Sequence, residues 1–249
     1  MSAVPASPFR LNPRIDADAA REAFLRSGHV QIAPFLDGQG AEQLLRHLEE
    51  RDDWRLVLNA GEKVYEIDRA GQESLTQTQR DEMEKRVLAA ATSGFQYRFE
   101  TIRVADDEAG RAASASLLDQ LASFLSSAPV LELLRQVSGC GRIDFADAQA
   151  TCYRAGHFLT QHDDDVEGKG RRAAYVFGLT GSWRPEWGGL LLFHAPDSNI
   201  EHGYLPRMNA LTLFAVPRAH SVSLVAPFAG RPRYSVTGWL RSRLAAPQP

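Results

Sequence analysis

The stretch Tyr153-Arg154-Ala155-Gly156-His157-Phe158-Leu159-Thr160-Gln161-His162-Asp163-Asp164 decides how the rest of the chain is read. It closes on a His-x-Asp pair, His162 and Asp164. In an extended segment residues two apart point the same way, so both side chains can reach one ion while Asp163 points elsewhere and Asp165 has the wrong parity. A third metal-competent residue, His220, follows 58 residues later, just ahead of a β-rich run. Two histidines and one carboxylate can occupy three adjacent positions of an iron(II) ion and leave the opposite three open. Alone, the pair reads equally well as a solvated turn, Gln-His-Asp-Asp-Asp.

A second cluster separates the two readings. Arg233 and Ser235 alternate on one face of an expected strand, 13 residues after His220. The planar fork of arginine matches a carboxylate bidentately, and a serine hydroxyl adds a further bond. An exposed arginine on an edge strand is the bland alternative. Arg231 is the rival arginine, but it precedes Pro232 and lies nearer the turn.

The surrounding pattern is of helices first and strands after. Ala41, Leu44, Leu45 and Leu48 fall on one helical face, with Asp37 or Gly40 as its cap. Thr76 and Gln79 form a capping-box signature for a helix running to about Ala91. Ser116 with Asp119 opens another helix, Pro129 sits at the first turn of a third, and Gly139 and Gly141 end it. Phe95, Tyr97 and Phe99 alternate with Gln96, Arg98 and Glu100 as one strand. Ala173–Thr180, Gly189–His194, Ala210–Val216, Ser221–Ala226 and Tyr234–Arg241 are further β-rich runs separated by Pro, Gly and Asn. The expected class is α+β: a double-stranded β-helix (jelly roll) buttressed by N-terminal helices. The expected organisation is one domain over residues 1–249, with 1–140 a mainly helical support and 141–243 the β-helix core and metal site.

Composition narrows the function classes. The chain has 249 residues, 44% hydrophobic and 24% charged, with a net charge of −3. That balance provides no basic field for nucleic acid or an anionic membrane. No secretory leader is legible in the first residues, and no apolar run approaches the roughly 18 residues of a membrane span. Cys140 and Cys152 form neither a CxxC nor a disulfide framework, so a cytoplasmic location is expected.

The motifs together resemble the prolyl-4-hydroxylase-like superfamily of Fe(II)- and 2-oxoglutarate-dependent dioxygenases. Within it the chain is similar to the bacterial branch akin to the hypoxia-factor prolyl hydroxylases. Tyr153, Gly156, Phe158, His162 and Asp164 carry the first signature. A strand at Ala173–Thr180, then Trp183 or Trp187 and Gly188-Gly189-Leu190-Leu191, carry the second, though the family often has an acidic residue where Leu190 stands. His220-Ser221-Val222 and Arg233-Tyr234-Ser235-Val236-Thr237-Gly238-Trp239 carry the last. The resemblance is specific from about Asp144 to Arg241 and only general before it.

The resemblance implies that His162, Asp164 and His220 are the catalytic metal ligands for Fe(II). It implies that Arg233, Ser235 and Tyr153 bind 2-oxoglutarate, with O2 as second cosubstrate and room for ascorbate as a reductant. An aspartate at 164 argues against the related halogenases, which have a small residue there. Tyr97, Arg98, Glu100 and Trp183 are candidate substrate contacts; Trp187 reads better as core, and Arg98 with Glu100 reads equally as a solvent-facing ion pair. Gly156 is expected to bend the strand at the site. Gly61–Gly71 reads either as a flap over the mouth or as a plain surface hairpin. His157, His194 and His202 have no role.

Three functions stay open at this point. One is hydroxylation of a prolyl residue in a peptide or protein. Another is hydroxylation of a free amino acid or natural-product intermediate. The third is a catalytically silent metal-binding jelly-roll module, cupin-like in form. The Arg233-x-Ser235 pattern speaks against the last, since a structural metal needs no dicarboxylate clamp. Oligomeric state is not legible.

Overall fold

The structure, a computed structural model, describes residues 7–114 and 116–243. Its α-helices are α1 (Ala17–Ser27), α2 (Gly40–Glu50), α3 (Arg69–Ser74), α4 (Gln77–Ala91), α5 (Glu108–Ser114), α6 (Leu117–Leu125) and α7 (Ala128–Ser138). Its first strands are β1 (His29–Ile32), β2 (Arg55–Ala60), β3 (Lys63–Ile67), β4 (Tyr97–Arg103), β5 (Phe145–Ala146), β6 (Gln149–Tyr153) and β7 (Phe158–His162). The rest are β8 (Arg171–Gly178), β9 (Leu191–His194), β10 (Ile200–Tyr204), β11 (Ala210–Ala215), β12 (His220–Val222) and β13 (Arg233–Arg241).

All strand pairings are antiparallel. They run in the order β1-β11-β8-β13-β6-β4-β7-β12-β9-β10, with the β2–β3 hairpin attached through β4. The sheet curls on itself as a jelly roll. Phe193 and Leu191 from β9 thereby meet Ala174 from β8 and Phe214 from β11 across the interior. No described helix is long and apolar enough to cross a membrane by itself.

The larger hydrophobic core lies on the outer face of the β11-β8-β13-β6 half. Leu44 and Leu48 of α2, Leu118, Leu121 and Leu125 of α6, and Val130, Leu134 and Val137 of α7 pack there with Tyr175, Phe177, Leu211, Leu213, Val236 and Leu240. Alternation along β13 therefore sends Tyr234, Val236 and Leu240 to the helices and Arg233, Thr237 and Trp239 to the opposite face. That second face is the wall of the site.

Local signals placed several elements well. Thr76 and Gln79 form a reciprocal capping box on α4, Ser116 accepts the backbone N–H of Asp119 on α6, and Gly139 closes α7 in the left-handed conformation. The cap of α2 differs: Gln39 holds the position without a side-chain bond, and neither Asp37 nor Gly40 caps. Two strands are shorter than their apolar runs. β9 begins at Leu191 because Gly188 and Gly189 form a turn at positive φ. β12 ends at Val222, and Val225 instead exchanges backbone bonds with the Gly156–His157 turn.

Residues 1–140 hold the seven helices and also β1–β4. Of these strands only β4 shows in the sequence pattern, and it begins at Tyr97, leaving Phe95 outside. β4 is integral to the barrel: it pairs with β6 and β7 as well as β2. Gly61 lies at the turn of the β2–β3 hairpin, β3 makes up the centre of the 61–71 stretch, and Gly71 lies in α3.

Candidate metal and cosubstrate site

His162 ends β7 and His220 begins β12. The two strands pair with these residues as register partners, and the rings come to 4.1 Å between centroids. His162 Nδ1 lies 3.1 Å from the Thr160 carbonyl and His220 Nδ1 lies 2.7 Å from the Arg218 carbonyl. A carbonyl can only accept, so each Nδ1 carries the proton and donates. Each Nε2 is left with its lone pair, the state a metal ligand needs.

Those Nε2 atoms face Asp164. His162 Nε2 is 3.5 Å from Oδ1, and His220 Nε2 is 3.4 Å from Oδ2. One ligand atom from each of the three residues falls within 4.8 Å of the others, and this is the sole such cluster among the described residues. Asp164 does not arrive by strand parity. It lies beyond the end of β7 with φ +66°, a left-handed turn that swings its carboxylate back between the histidines. The His-x-Asp spacing predicted the meeting, but a turn rather than an extended strand produces it.

Electrostatics suit a cation. Burial pushes the His220 pKa down to about 4, with His162 adding to the effect, so the imidazole is neutral near pH 7. Burial alone would raise the Asp164 carboxyl. The neighbouring His162 and His220 imidazoles outweigh it and hold the pKa below the usual carboxylate range. Two lone-pair nitrogens and a largely buried carboxylate therefore converge, which is the donor set for a divalent metal such as Fe(II).

The triad opens into a cavity of about 530 Å³. Arg233 and Tyr153 line the same cavity. Arg233 is 3% exposed, no carboxylate lies within ion-pair distance of it among the described residues, and its Nη1 has no hydrogen-bond partner. Its guanidinium lies 5.0 Å from the centre of the Tyr153 ring, which stacks in turn on Phe99. A buried, unpaired guanidinium is costly to the folded state. A dicarboxylate entering the cavity would satisfy it. Arg231, the rival, is exposed at the turn.

Ser235 lies on the same face of β13, its hydroxyl 2.8 Å from that of Thr151, which lines the cavity with Arg233. Tyr97, Phe99, Thr101 and Arg103 form the β4 wall, and Phe95 extends it to the rim, 5.4 Å from the His162 ring.

Three candidate substrate contacts lie elsewhere. Arg98 and Glu100 alternate to the outer face of β4: Arg98 lies 3.9 Å from Glu84, and Glu100 is buried in an ion pair with Arg154 at 2.7 Å. Trp183 donates its indole N–H to the Gly188 carbonyl at 2.9 Å and packs edge-on against Trp187 behind the Gly188-Gly189 turn. Trp187 is only partly buried. Gly156 sits with φ +81° in the turn between β6 and β7 rather than as a bend within a strand. His157 is buried beside it and accepts the Arg154 N–H, at 3.2 Å.

The motif reading gave no site role to several cavity residues, among them Val57, Val64, Arg171 and Trp239. Val57 and Val64 come from the β2–β3 hairpin, whose strands it did not identify. Arg171 and Trp239 were visible as residues, yet only the pairing of β8 with β13 brings them together.

Comparison with known proteins agrees with this geometry. Residues 148–241 match the family model described as the 2OG-Fe(II) oxygenase superfamily. No curated protein matches the chain. A prolyl-4-hydroxylase from Pseudomonas putida superposes with a TM-score of 0.58 at 19% identity, over 92% of this chain and 100% of that one. A Trichoplax adhaerens prolyl hydroxylase, solved with a hypoxia inducible factor oxygen degradation domain peptide fragment, gives 0.59 at 16%, over 91% and 89%. A 2OG-Fe(II) oxygenase family oxidoreductase from Burkholderia pseudomallei gives 0.58 at 11%, over 96% of each. At these identities the superpositions establish the shared fold. The matched region, 148–241, contains the His-Asp-His cluster and Arg233, so the part of the chain that is similar to the 2OG-Fe(II) oxygenase superfamily is the part that builds this site.

Proposed function

We propose that the chain is a dioxygenase that hydroxylates a prolyl residue in a peptide or protein. In this reading His162, Asp164 and His220 hold Fe(II), and Arg233 receives the distal carboxylate of 2-oxoglutarate. The observation that carries it is the buried guanidinium of Arg233, unpaired in the cavity that the triad faces. A structural metal in a silent module would leave that charge without an anion, whereas a dicarboxylate cosubstrate supplies one.

The metal and cosubstrate, when bound, supply the oxidising chemistry; the chain's residues bind, orient and exclude water. His162 and His220 present lone pairs because their Nδ1–H groups are tied to carbonyls. Arg233 would fix one end of the cosubstrate with charge-assisted bonds, and Tyr153 and Thr151 shape the slot beside it. The Phe95, Tyr97 and Phe99 rings stand 5.5 and 5.6 Å apart in a ladder along the cavity wall, from Phe95 beside His162 at the rim to Phe99 stacked on Tyr153. Such a wall suits a pyrrolidine ring, and the open mouth suits the chain on either side of it. The prolyl hydroxylases that share this fold support that choice of substrate.

A second reading, a free amino acid or natural-product intermediate, draws on the cavity volume, which falls within the range of roughly 300–1,000 Å³ usual for small-molecule sites. The first experiment is to add Fe(II) and 2-oxoglutarate without oxygen and record the visible charge-transfer band of the chelate. Its absence would count against the enzyme reading. Succinate release in oxygen, driven by proline-containing peptides and not by free amino acids, is then the result expected. Release with free amino acids alone would move the assignment to the second reading.

A further inference from the structure

Asp164 occupies a backbone conformation that its strand does not provide. β7 ends at His162, and Asp164 has φ +66°. That region is uncommon outside glycine, and although aspartate enters it more readily than most side chains, the turn still has to be selected by its surroundings. The adjacent sequence, Asp163 to Gly170, is an irregular segment with no strand pairing of its own.

One side chain grips residue 164 from outside that segment. Arg171, the first residue of β8, donates from Nη1 to the Asp164 carbonyl at 3.0 Å. The same nitrogen lies 3.8 Å from carboxylate Oδ1. The guanidinium is itself laid over Trp239, 3.5 Å from the ring centroid. Trp239 is on β13, the neighbour of β8 in the sheet, so the platform is part of the rigid barrel rather than of the loop. A planar cation can stack on an indole face and donate in its own plane at once; an ammonium cannot. Two barrel strands thus hold the backbone of a residue that belongs to neither.

We infer that Arg171, laid on Trp239, is a positioning residue that holds Asp164 in the turn from which its carboxylate reaches the metal. The inference rests on the reading of Asp164 as a metal ligand and extends it to the residue that aims the ligand. Arg171 also lines the cavity, so a direct contact with substrate is the competing role.

The test is anaerobic titration of the whole protein with Fe(II), then with 2-oxoglutarate, for the wild type, Arg171→Met, Arg171→Lys and Asp164→Ala. Arg171→Met is expected to raise the Fe(II) Kd roughly 10–100-fold, the range for partners that orient a ligand. Arg171→Lys should fall between it and the wild type, and metal-saturated Arg171→Met should bind 2-oxoglutarate with unchanged affinity. A wild-type Fe(II) affinity in Arg171→Met overturns the proposal; a raised substrate KM in the same variant would make the arginine a substrate contact. If thermal unfolding shows Arg171→Met to be unfolded, Arg171→Lys decides, weakened Fe(II) binding supporting the role and wild-type binding overturning it. Undiminished Fe(II) binding in Asp164→Ala would instead remove the ligand reading itself, an outcome distinct from failure of the clamp.

Discussion

His220 and His162 are register partners across the β12–β7 pairing. Metal geometry at this site is therefore written into sheet register: a one-residue slip of β12 would turn His220 to the other face. On the proposed assignment, replacing either histidine with alanine removes a ligand rather than a support. Each variant should lose more than the roughly 10–100-fold in Fe(II) affinity that outer partners cost, with the fold intact by circular dichroism.

Arg233 predicts a trade between stability and function. Its guanidinium is buried without a partner, and replacing an unpaired buried charge with an apolar side chain relieves a desolvation cost. Arg233→Met should unfold at higher denaturant than the wild type when neither contains 2-oxoglutarate, by about 1 kcal/mol or more. The wild type should gain stability from 2-oxoglutarate by mass action, and the variant should not. Its cosubstrate affinity should fall by about 1.5–3 kcal/mol, the worth of hydrogen bonds to a charged group. An unaltered cosubstrate requirement would transfer the clamp to Arg231.

Phe95 is half exposed at the rim and touches Tyr97 and His162 by ring contacts. Phe95→Ala should cost about 1 kcal/mol of stability at most, since half of the side chain is already in water. Its effect should appear in the substrate KM of the succinate assay. An unchanged KM would remove the ring ladder from the substrate path.

His157 sets an acid limit on the fold. Burial, with Arg98 nearby, depresses its pKa to about 3, and its Nδ1 accepts the Arg154 N–H, a bond that requires the neutral ring. Above its unfolded pKa of about 6.5 the residue is neutral in both states and the stabilisation is complete. As pH falls below that value the unfolded chain binds a proton that the folded chain refuses. Stability should then drop by about 1.4 kcal/mol per pH unit on account of this residue, until about pH 3. Denaturant unfolding at successive acid pH values should show a shallower slope in His157→Gln.

Gly188 has φ +66°, and a Cβ there would stand 2.0 Å from the Leu224 carbonyl oxygen. Gly188→Ala should lower unfolding stability by about 3 kcal/mol. A variant as stable as the wild type would mean that the turn between the short 3-10 helix Pro185–Trp187 and β9 can move freely.

Much of the site was legible because its chemistry depends on residue type and order. The two histidines, the aspartate and the arginine could be named, as could the capping box at Thr76 and the alternation of Tyr97 with Phe99. The β2–β3 hairpin was not legible as strands. Lys63–Ile67 is almost wholly exposed, so no buried face imprints a period on it. Arg98 and Glu100 were left open between a substrate contact and an ion pair, since alternation tells which residues share a face but not which face meets the cavity; both lie in ion pairs away from it. Trp183, a candidate substrate contact, gives its indole N–H to the carbonyl of a glycine only five residues on, a local turn that spacing does not reveal.

By itself, the sequence named the metal-competent groups and pointed to the reaction class proposed for them. Chemistry of that kind requires particular side chains, and the order of their appearance along a jelly roll is constrained by its strand sequence. Only the tertiary structure decided how those groups are aimed. Pairing of β7 with β12 set the histidines opposite one another, a left-handed turn brought Asp164 between them, and the β8–β13 pair supplied the arginine and tryptophan that grip it. These are contacts between segments remote in the chain, and local propensity carries no record of them because their energies exist only once the barrel has closed.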